Sequence, residues 1–133
     1  MKSLILAIQF MPRLPIPSVA ADAEDFAASI RWFPATGLIV GALVSGAAWA
    51  GAAVDDWGGA LAALALWIGV TGALHLDGLA DGADAAGAAH KDKARLLAVL
   101  HDPHVGSFGV VAIALQLIAK LVLLHALVER DAL

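Results

Sequence analysis

Three long apolar runs organise the chain. The first two cover 36–54 and 59–76 and are joined by an acidic turn at 55–58, and the third covers 108–128 and carries a single charge, Lys120. About 20 apolar residues, at ~1.5 Å of rise each, cross a hydrocarbon core of ~30 Å. The pattern therefore predicts three membrane-spanning helices, with the first two paired as a tight hairpin.

Two features within these runs bear on helix packing. Small residues recur at three- to four-residue spacing in the first run, which predicts a stripe along which helices approach closely; they are Gly37, Gly41, Ser45 and Ala48. We interpret Lys120 as a side chain that snorkels to the interface or faces a partner helix. An ionisable residue inside a span is nevertheless a functional candidate by default.

The N-terminal segment carries a shorter apolar run, 4–11, which follows Lys2 and precedes Pro12. A basic residue, an apolar run and small residues at 20–23 are also features of a signal peptide, but prolines and an arginine precede the supposed cleavage site. We therefore expect a short membrane-surface helix here and a second short helix over 26–32.

Composition agrees with a membrane setting. Hydrophobic residues make up 61% and charged residues 15% of the 133 residues, and the mean hydropathy is +0.84. Soluble domains are nearer ~45–50% and ~25%, and a soluble domain of this length could not hide so much apolar surface in one core. We predict an all-α integral membrane protein, a single membrane domain over 1–133, with about three transmembrane helices plus short amphipathic or interfacial helices.

Charge and cysteine content exclude several classes of function. The net charge of −4 argues against nucleic-acid binding, which needs a clustered basic face. The chain has no cysteine, which excludes disulfides, thiolate zinc sites and thiol nucleophiles. Any metal must be held by Asp, Glu or His, and oxygen-rich ligand sets favour Mg²⁺ or Mn²⁺.

Basic residues predict the orientation in the membrane. The 55–58 turn is acidic, whereas the N-terminal flank and the segment 77–107 carry the basic residues Lys2, Arg13, Arg31, Lys91, Lys93 and Arg95. By the positive-inside rule, the N-terminus and 77–107 face the cytoplasm and the turn lies outside.

Three aspartates follow the second run. Asp77, Asp81 and Asp84 are spaced i, i+4, i+7, which places them in one stripe along a helix. Like charges repel, and each would cost ~2.5–3.5 kcal/mol at the centre of a span. The stripe must therefore face water or a cation, and a divalent ion such as Mg²⁺ would convert the repulsion into a binding site.

Neighbouring residues bear on the same stripe. Gly78 and Gly82 each follow an aspartate and leave room for a bulky ligand near the backbone, at ~1 kcal/mol each in helix propensity. A merely solvated helix at the membrane edge is the simpler alternative, although such a face would normally mix Lys with Glu. His75 lies just outside the stripe, and the sequence leaves open whether it is an interfacial residue or a ligand.

A second polar cluster covers 101–109 and precedes the third run. Its candidate ligand-binding residues are Asp102, His104 and Gly106. Glycines there would let backbone N–H groups approach an anion, although a loop that simply re-enters the membrane is the more frequent explanation of such a pattern.

At these residues the sequence resembles the cobalamin synthase family. The specific part of the resemblance is His75-Leu-Asp-Gly-Leu-Ala-Asp-x-x-Asp84. Other parts agree in order: Phe10-x-x-Arg13-Leu-Pro-x-Pro17, Phe33-Pro-x-x-Gly37 and Asp102-x-x-x-Gly106-x-x-Gly109. Members are helical, Mg²⁺-dependent enzymes of the inner (cytoplasmic) membrane. They transfer the adenosylcobinamide phosphate group from adenosylcobinamide-GDP to α-ribazole or its 5′-phosphate, and GMP is released.

The resemblance implies roles for the candidate residues. Asp77, Asp81 and Asp84 would bind the metal, and Asp77, Asp81 and His75 would be catalytic. A carboxylate of the stripe or His75 would accept the proton of the attacking hydroxyl, and the sequence does not choose between them. The residues that would contact substrate are Gly78, Gly82, Asp102, His104 and Gly106.

The chain also departs from the family. Gly82 and Ala85 stand where Thr and Gly are usual, and Ala98, His101, Pro103 and His104 replace a Glu, a basic residue and a Ser-Arg pair. Histidine is mostly neutral at pH 7, whereas Lys and Arg are charged, so we expect weaker phosphate contacts there.

Members of the family are longer and carry a second helical half. We therefore expect this chain to be a fragment, or a reduced homologue that borrows the other half from another chain or a homo-oligomer, with poor activity alone.

Alternative functions remain open at this point. A phosphatidyl-alcohol phosphotransferase also uses an Asp-rich helix at the membrane edge, but its expected Ala-Arg pair and final Asp spacing are missing here. A divalent-cation transporter or channel subunit would place acidic residues within spans, and the two early runs lack them. The third alternative is a non-catalytic membrane fragment.

Overall fold

A computed structural model of the chain describes residues 2–10, 20–88 and 104–130. Within these ranges every regular element is helical and none is a strand, which confirms the all-α prediction. The elements are α1 (Lys2–Phe10), α2 (Ala23–Ser29), a 3₁₀ turn (Ile30–Trp32), α3 (Phe33–Ala52), α4 (Asp56–Thr71), α5 (Leu74–Ala88) and α6 (Ser107–Val128).

The described residues form two compact units. The first contains α1 to α4 together with the end of α6 from Leu124 onward. The second contains α5 and the part of α6 that ends at Leu123. Each unit has its own internal contacts, and each is described separately below.

The N-terminal part of the first unit follows from local capping. Asp22 is the N-cap of α2, since its Oδ1 accepts from the backbone N–H of Asp25 at 2.8 Å, and the Asp25 carboxylate accepts from the backbone of Asp22 in return. The same carboxylate forms a salt bridge with Lys2 of α1. The predicted helices over 4–11 and 26–32 are thus present as α1 and as α2 with its 3₁₀ continuation.

Helices α3 and α4 form the predicted tight hairpin. Pro34 lies in the first turn of α3, where its missing N–H leaves no bond unmade. Asp55 caps α4, and its Oδ1 accepts from the backbone N–H of Gly58 at 2.6 Å. The acidic turn between the runs is therefore a helix-capping element as well as a charged loop.

The two helices approach most closely beside this turn. A Cβ on Gly59 would lie 2.9 Å from the carbonyl oxygen of Ala48, and a Cβ on Gly51 would overlap the carbonyl of Gly58. Small residues thus permit the close approach, as predicted, and Ala48 is 1% exposed.

The rest of the predicted stripe borders open space. A Cβ on Gly37 or Gly41 would meet nothing within 4 Å. With Ser45, these two glycines line an apolar cavity of about 470 Å³ beside Trp67 and Leu124. The periodicity located a small-residue face of α3, which approaches α4 most closely beside the turn and borders the cavity further from it.

The second apolar run differs from the predicted span over 59–76, because α4 ends at Thr71. Gly72 has φ 60° and ψ 26°, a left-handed C-cap, and Ala73 also has a positive φ of 59°. A left-handed residue ends the regular helical hydrogen bonding, and glycine adopts this conformation without steric cost. Consequently, His75 lies on the next helix, α5, together with the three aspartates.

Length and apolarity identify the membrane-crossing elements. Two helical stretches, Ala23–Ala52 and Ser107–Val128, are long and apolar enough to cross a bilayer, and α4 with α5 makes a third if the broken pair counts as one span. Only 17% of the apolar part of the first stretch and 6% of that of the second are buried in the described structure. Apolar helices with so much exposed surface are those of a membrane protein.

Substituting alanine for Gly51 should lower the free energy of unfolding by ~1–3 kcal/mol, because the added Cβ overlaps a backbone carbonyl that cannot rotate away. Gly46→Ala is the matched control in the same helix, since a Cβ there meets nothing within 4 Å. It should leave stability unchanged or raise it by up to ~1 kcal/mol. Steric trapping in lipid bicelles measures both values, and equal effects of the two substitutions would contradict the close crossing.

Candidate active site

Helix α5 carries the three aspartates at the predicted helical spacing. Asp77 is exposed, and Asp81 and Asp84 are half-buried. Leu76 and Ala80 of the same helix are buried, at 6% and 1% exposure, and hold its apolar side inside the second unit. The amphipathic sequence of α5 therefore places Asp77 and Asp81 on its more accessible side.

Asp84 contacts the start of α6. Its Oδ2 accepts from the backbone N–H of Gly106 at 2.7 Å, and its Oδ1 accepts from the backbone N–H of Gly109 at 2.9 Å. The first N–H groups of a helix have no partner within the helix. A carboxylate at this end also interacts favourably with the positive end of the helix dipole. Asp84 is thus a cap for α6 that comes from a different helix.

The two glycines are required by this contact. A Cβ on Gly106 or on Gly109 would overlap the Asp84 carboxylate, and Gly109 is also close to Val105 and Ala80. The glycine-bearing loop was predicted to bring backbone N–H groups to an anion, and in this structure the anion is the side chain of Asp84. The N–H of Gly106, a predicted substrate contact, is therefore already hydrogen-bonded within the chain.

The predicted three-aspartate metal site is not assembled here. Within the described ranges, no group of three or more His, Asp or Glu side chains lies close enough together to hold a metal ion. All three aspartates fall inside those ranges. Asp77 and Asp81 remain one helical turn apart on the accessible side, whereas Asp84 turns its oxygens to α6.

His75 has a partner that sequence reasoning missed. The Nζ of Lys120 lies 2.9 Å from His75 Nε2, and both residues belong to the second unit. An ammonium group can only donate, so Nε2 is the acceptor when Lys120 is charged. The sequence predicts only a snorkelling or helix-facing side chain at Lys120. The one signal for a specific partner is its charge inside an apolar run.

The remaining candidates differ in their surroundings. Gly78 and Gly82 are exposed, and a Cβ on either would meet nothing within 4 Å, so there is open space beside Asp77 and Asp81. His104 is exposed just before α6. Asp102 lies outside the described residues, as does the basic segment 91–100.

Comparison with known proteins identifies relatives over nearly the whole chain. A protein from Novosphingobium aromaticivorans named adenosylcobinamide-GDP ribazoletransferase is 66% identical over 136 aligned positions, gaps included. The alignment covers 99% of this chain and 55% of that protein. Proteins of the same name from Thiobacillus denitrificans and Brevibacillus brevis are 57% and 36% identical, over 98% and 90% of this chain and 53% and 49% of their own lengths. No solved structure matches the chain.

The chain thus spans about half the length of the curated relatives it matches. The family whose sequence model matches is described as cobalamin-5-phosphate synthase, and the match covers residues 3–133. This agrees with the resemblance found in the acidic motif on α5. The chain belongs to the cobalamin-5-phosphate synthase family.

Proposed function

We propose that this chain carries part of the active site of an adenosylcobinamide-GDP ribazoletransferase. The observation that carries the proposal is the aspartate stripe on α5 in a membrane chain that belongs to the cobalamin-5-phosphate synthase family. The relatives named for this reaction share 57–66% identity with nearly the whole chain. The substrates would be adenosylcobinamide-GDP and α-ribazole or its 5′-phosphate.

The reaction defines what the site must supply. A ribose hydroxyl oxygen attacks the phosphorus bonded to the cobinamide, a new P–O bond forms, and the bond to the GMP oxygen breaks. The hydroxyl proton goes to a base, and GMP leaves with the bonding electrons. Negative charge on the diphosphate must be neutralised as the transfer proceeds, which is the usual contribution of a divalent cation in phosphoryl transfer.

The chain's own residues fit Mg²⁺ through Asp77 and Asp81. Mg²⁺ is commonly held by one or two carboxylates together with substrate phosphates, so an all-protein cage is not needed. These two carboxylates lie one turn apart, and the open space at Gly78 and Gly82 leaves room for a diphosphate beside them. When bound, the ion would neutralise charge on the phosphate oxygens and orient the diphosphate.

The geometry favours a carboxylate over His75 as the base. When Lys120 is charged, Nε2 of His75 accepts its hydrogen bond, so protonating that nitrogen would require the loss of this contact. Neither Asp77 nor Asp81 makes such a hydrogen bond within the described ranges, so either carboxylate can accept the proton of the hydroxyl. His75 would then hold the Lys120 side chain.

We further propose an inner-membrane location with the N-terminus and 77–107 in the cytoplasm. The acidic turn at 55–58 and the basic residues flanking the other segments support this orientation. A cytoplasmic site also faces the compartment that contains guanosine nucleotides.

Reconstituted with the unmatched part of the Novosphingobium protein and supplied with both substrates and Mg²⁺, the chain should release GMP. Asp81→Asn should lower the rate at least ~100-fold, because it removes a charged ligand and a candidate base. Asp56→Asn, which changes an exposed carboxylate at the first residue of α4, should leave the rate unchanged. The full-length relative is the positive control. Absence of GMP from the reconstituted pair, with an active control, would overturn the proposal.

Comparison of His75→Gln with Asp81→Asn tests the choice of base. Glutamine retains a side-chain acceptor for Lys120 but cannot act as a base. Because the proposed base is a carboxylate, the rate of GMP release should fall much less in His75→Gln than in Asp81→Asn. Initial rates between pH 6 and 9 are the measurement. An equal or larger loss in His75→Gln, with retained thermal stability, would assign the base to His75.

Single cysteines test the topology directly, because the chain has none of its own. Val54→Cys, at a position 84% exposed beside the turn, should react with a membrane-impermeant maleimide on intact spheroplasts. Ala86→Cys, exposed on α5, should react only after lysis. The reverse labelling pattern would contradict the orientation.

A further inference from the structure

We propose that Asp84 is a positioning residue, which fixes the start of α6 to α5, and that it does not bind the magnesium ion. The inference rests on the proposed function in one respect, because it assigns Asp77 and Asp81 to the ion and Asp84 to the start of α6. Asp84, Gly106 and Gly109 act together, and we call them the α6 clasp.

The first step is the location of Gly106 in the helix. Its carbonyl oxygen accepts from the N–H of Val110 at 3.0 Å, so Gly106 is the N-cap residue of α6 and Gly109 is the third residue after it. An N-cap side chain normally accepts the N–H of the second or third helical residue. Glycine has no side chain for this purpose. Asp84, 25 residues before Gly109, supplies the missing acceptor.

The second step is that the clasp uses both oxygens of the carboxylate. One oxygen accepts from Gly106 and the other from Gly109, at 2.7 and 2.9 Å, which are lengths typical of charge-assisted hydrogen bonds. A carboxylate that instead bound a cation would have to turn away from these two N–H groups. They would lose their acceptor in a half-buried position, and such unmade hydrogen bonds are costly.

The third step concerns electrostatics. The positive end of the α6 dipole lies at the Asp84 carboxylate and favours an anion there, whereas it opposes a divalent cation at the same position. In the part of the chain that the structure describes, Asp77 and Asp81 make no hydrogen bond to a helix N-terminus. They are therefore better placed than Asp84 to hold the ion with the help of substrate phosphates.

The fourth step is that neighbouring contacts support the clasp. A Cβ on Gly87, one turn after Asp84, would overlap the ring of Phe108 in the first turn of α6. The Phe108 ring thus packs against the bare backbone of Gly87, and the glycines at 87, 106 and 109 all leave room for side chains that would otherwise overlap a Cβ. Loss of the Asp84 acceptor would remove both hydrogen bonds that hold the beginning of α6 beside α5.

Amide hydrogen exchange of ¹⁵N-glycine-labelled chain in lipid nanodiscs tests the clasp without substrate or turnover. In the unmodified chain the amides of Gly106 and Gly109 should be protected. Asp84→Ala should accelerate their exchange at least 10-fold, and Asp84→Asn, which keeps one acceptor oxygen, should accelerate only one of the two. Asp81→Ala, one turn away on the same helix, is the matched control and should change neither.

Two further measurements separate the clasp from a metal site. Saturating Mg²⁺ should leave the exchange of both amides unchanged, and Gly109→Ala should accelerate the exchange of Gly106 although Asp84 is still present. In the reconstituted enzyme, Asp84→Asn should lower the maximal rate of GMP release while the Mg²⁺ concentration for half-activation changes less than twofold.

Any one of three results would overturn the inference. They are protection that persists in Asp84→Ala, protection that Mg²⁺ abolishes, and a tenfold rise in half-activating Mg²⁺ in Asp84→Asn, which would assign Asp84 to the metal. Because the exchange measurements need no reaction, they retain their meaning even if the chain releases no GMP. Failure of the proposed function and failure of the clasp are therefore distinguishable.

Discussion

The Asp84 carboxylate and the two N–H groups at the start of α6 form the interaction on which the second unit depends. It satisfies donors that the helix itself cannot satisfy, and it places a negative charge where the helix dipole favours one. It also requires glycine at two positions, because any side chain there would occupy the space of the carboxylate. An aspartate at position 84 thus requires glycine at positions 106 and 109.

Polar and charged side chains in apolar surroundings need a hydrogen-bonding partner, and this requirement also applies to the other polar residues of the second unit. Lys120 lies inside an apolar helix and contacts His75. Asp77 and Asp81, in contrast, lie on the accessible side of α5, where water or a bound cation can compensate their charge. The second unit therefore combines polar groups that have partners in the protein with two carboxylates on the accessible side of α5.

The first unit is built on a different constraint, the close approach of α3 and α4. Glycine at 51, 58 and 59 brings backbone atoms near contact beside a capped turn, so dispersion contacts between the helices do not depend on large side chains. Further along α3 the small residues border an apolar cavity instead. Such packing suits a membrane, where exposed apolar surface is not penalised and small residues decide which helices pair.

The sequence by itself determined the helical membrane class, the hairpin, and the helix that carries the aspartates. These features follow from local causes: uncharged length, a short acidic turn between the first two runs, and i, i+4, i+7 spacing of the aspartates. It did not determine that α4 ends at Thr71, since Gly72 and Ala73 offered no stronger signal than other small residues in the run. The partners of Asp84 and His75 were also decided only by the tertiary structure. They lie 22 to 45 positions away, and spacing along one helix cannot distinguish a carboxylate that faces solvent from one that caps a neighbouring helix.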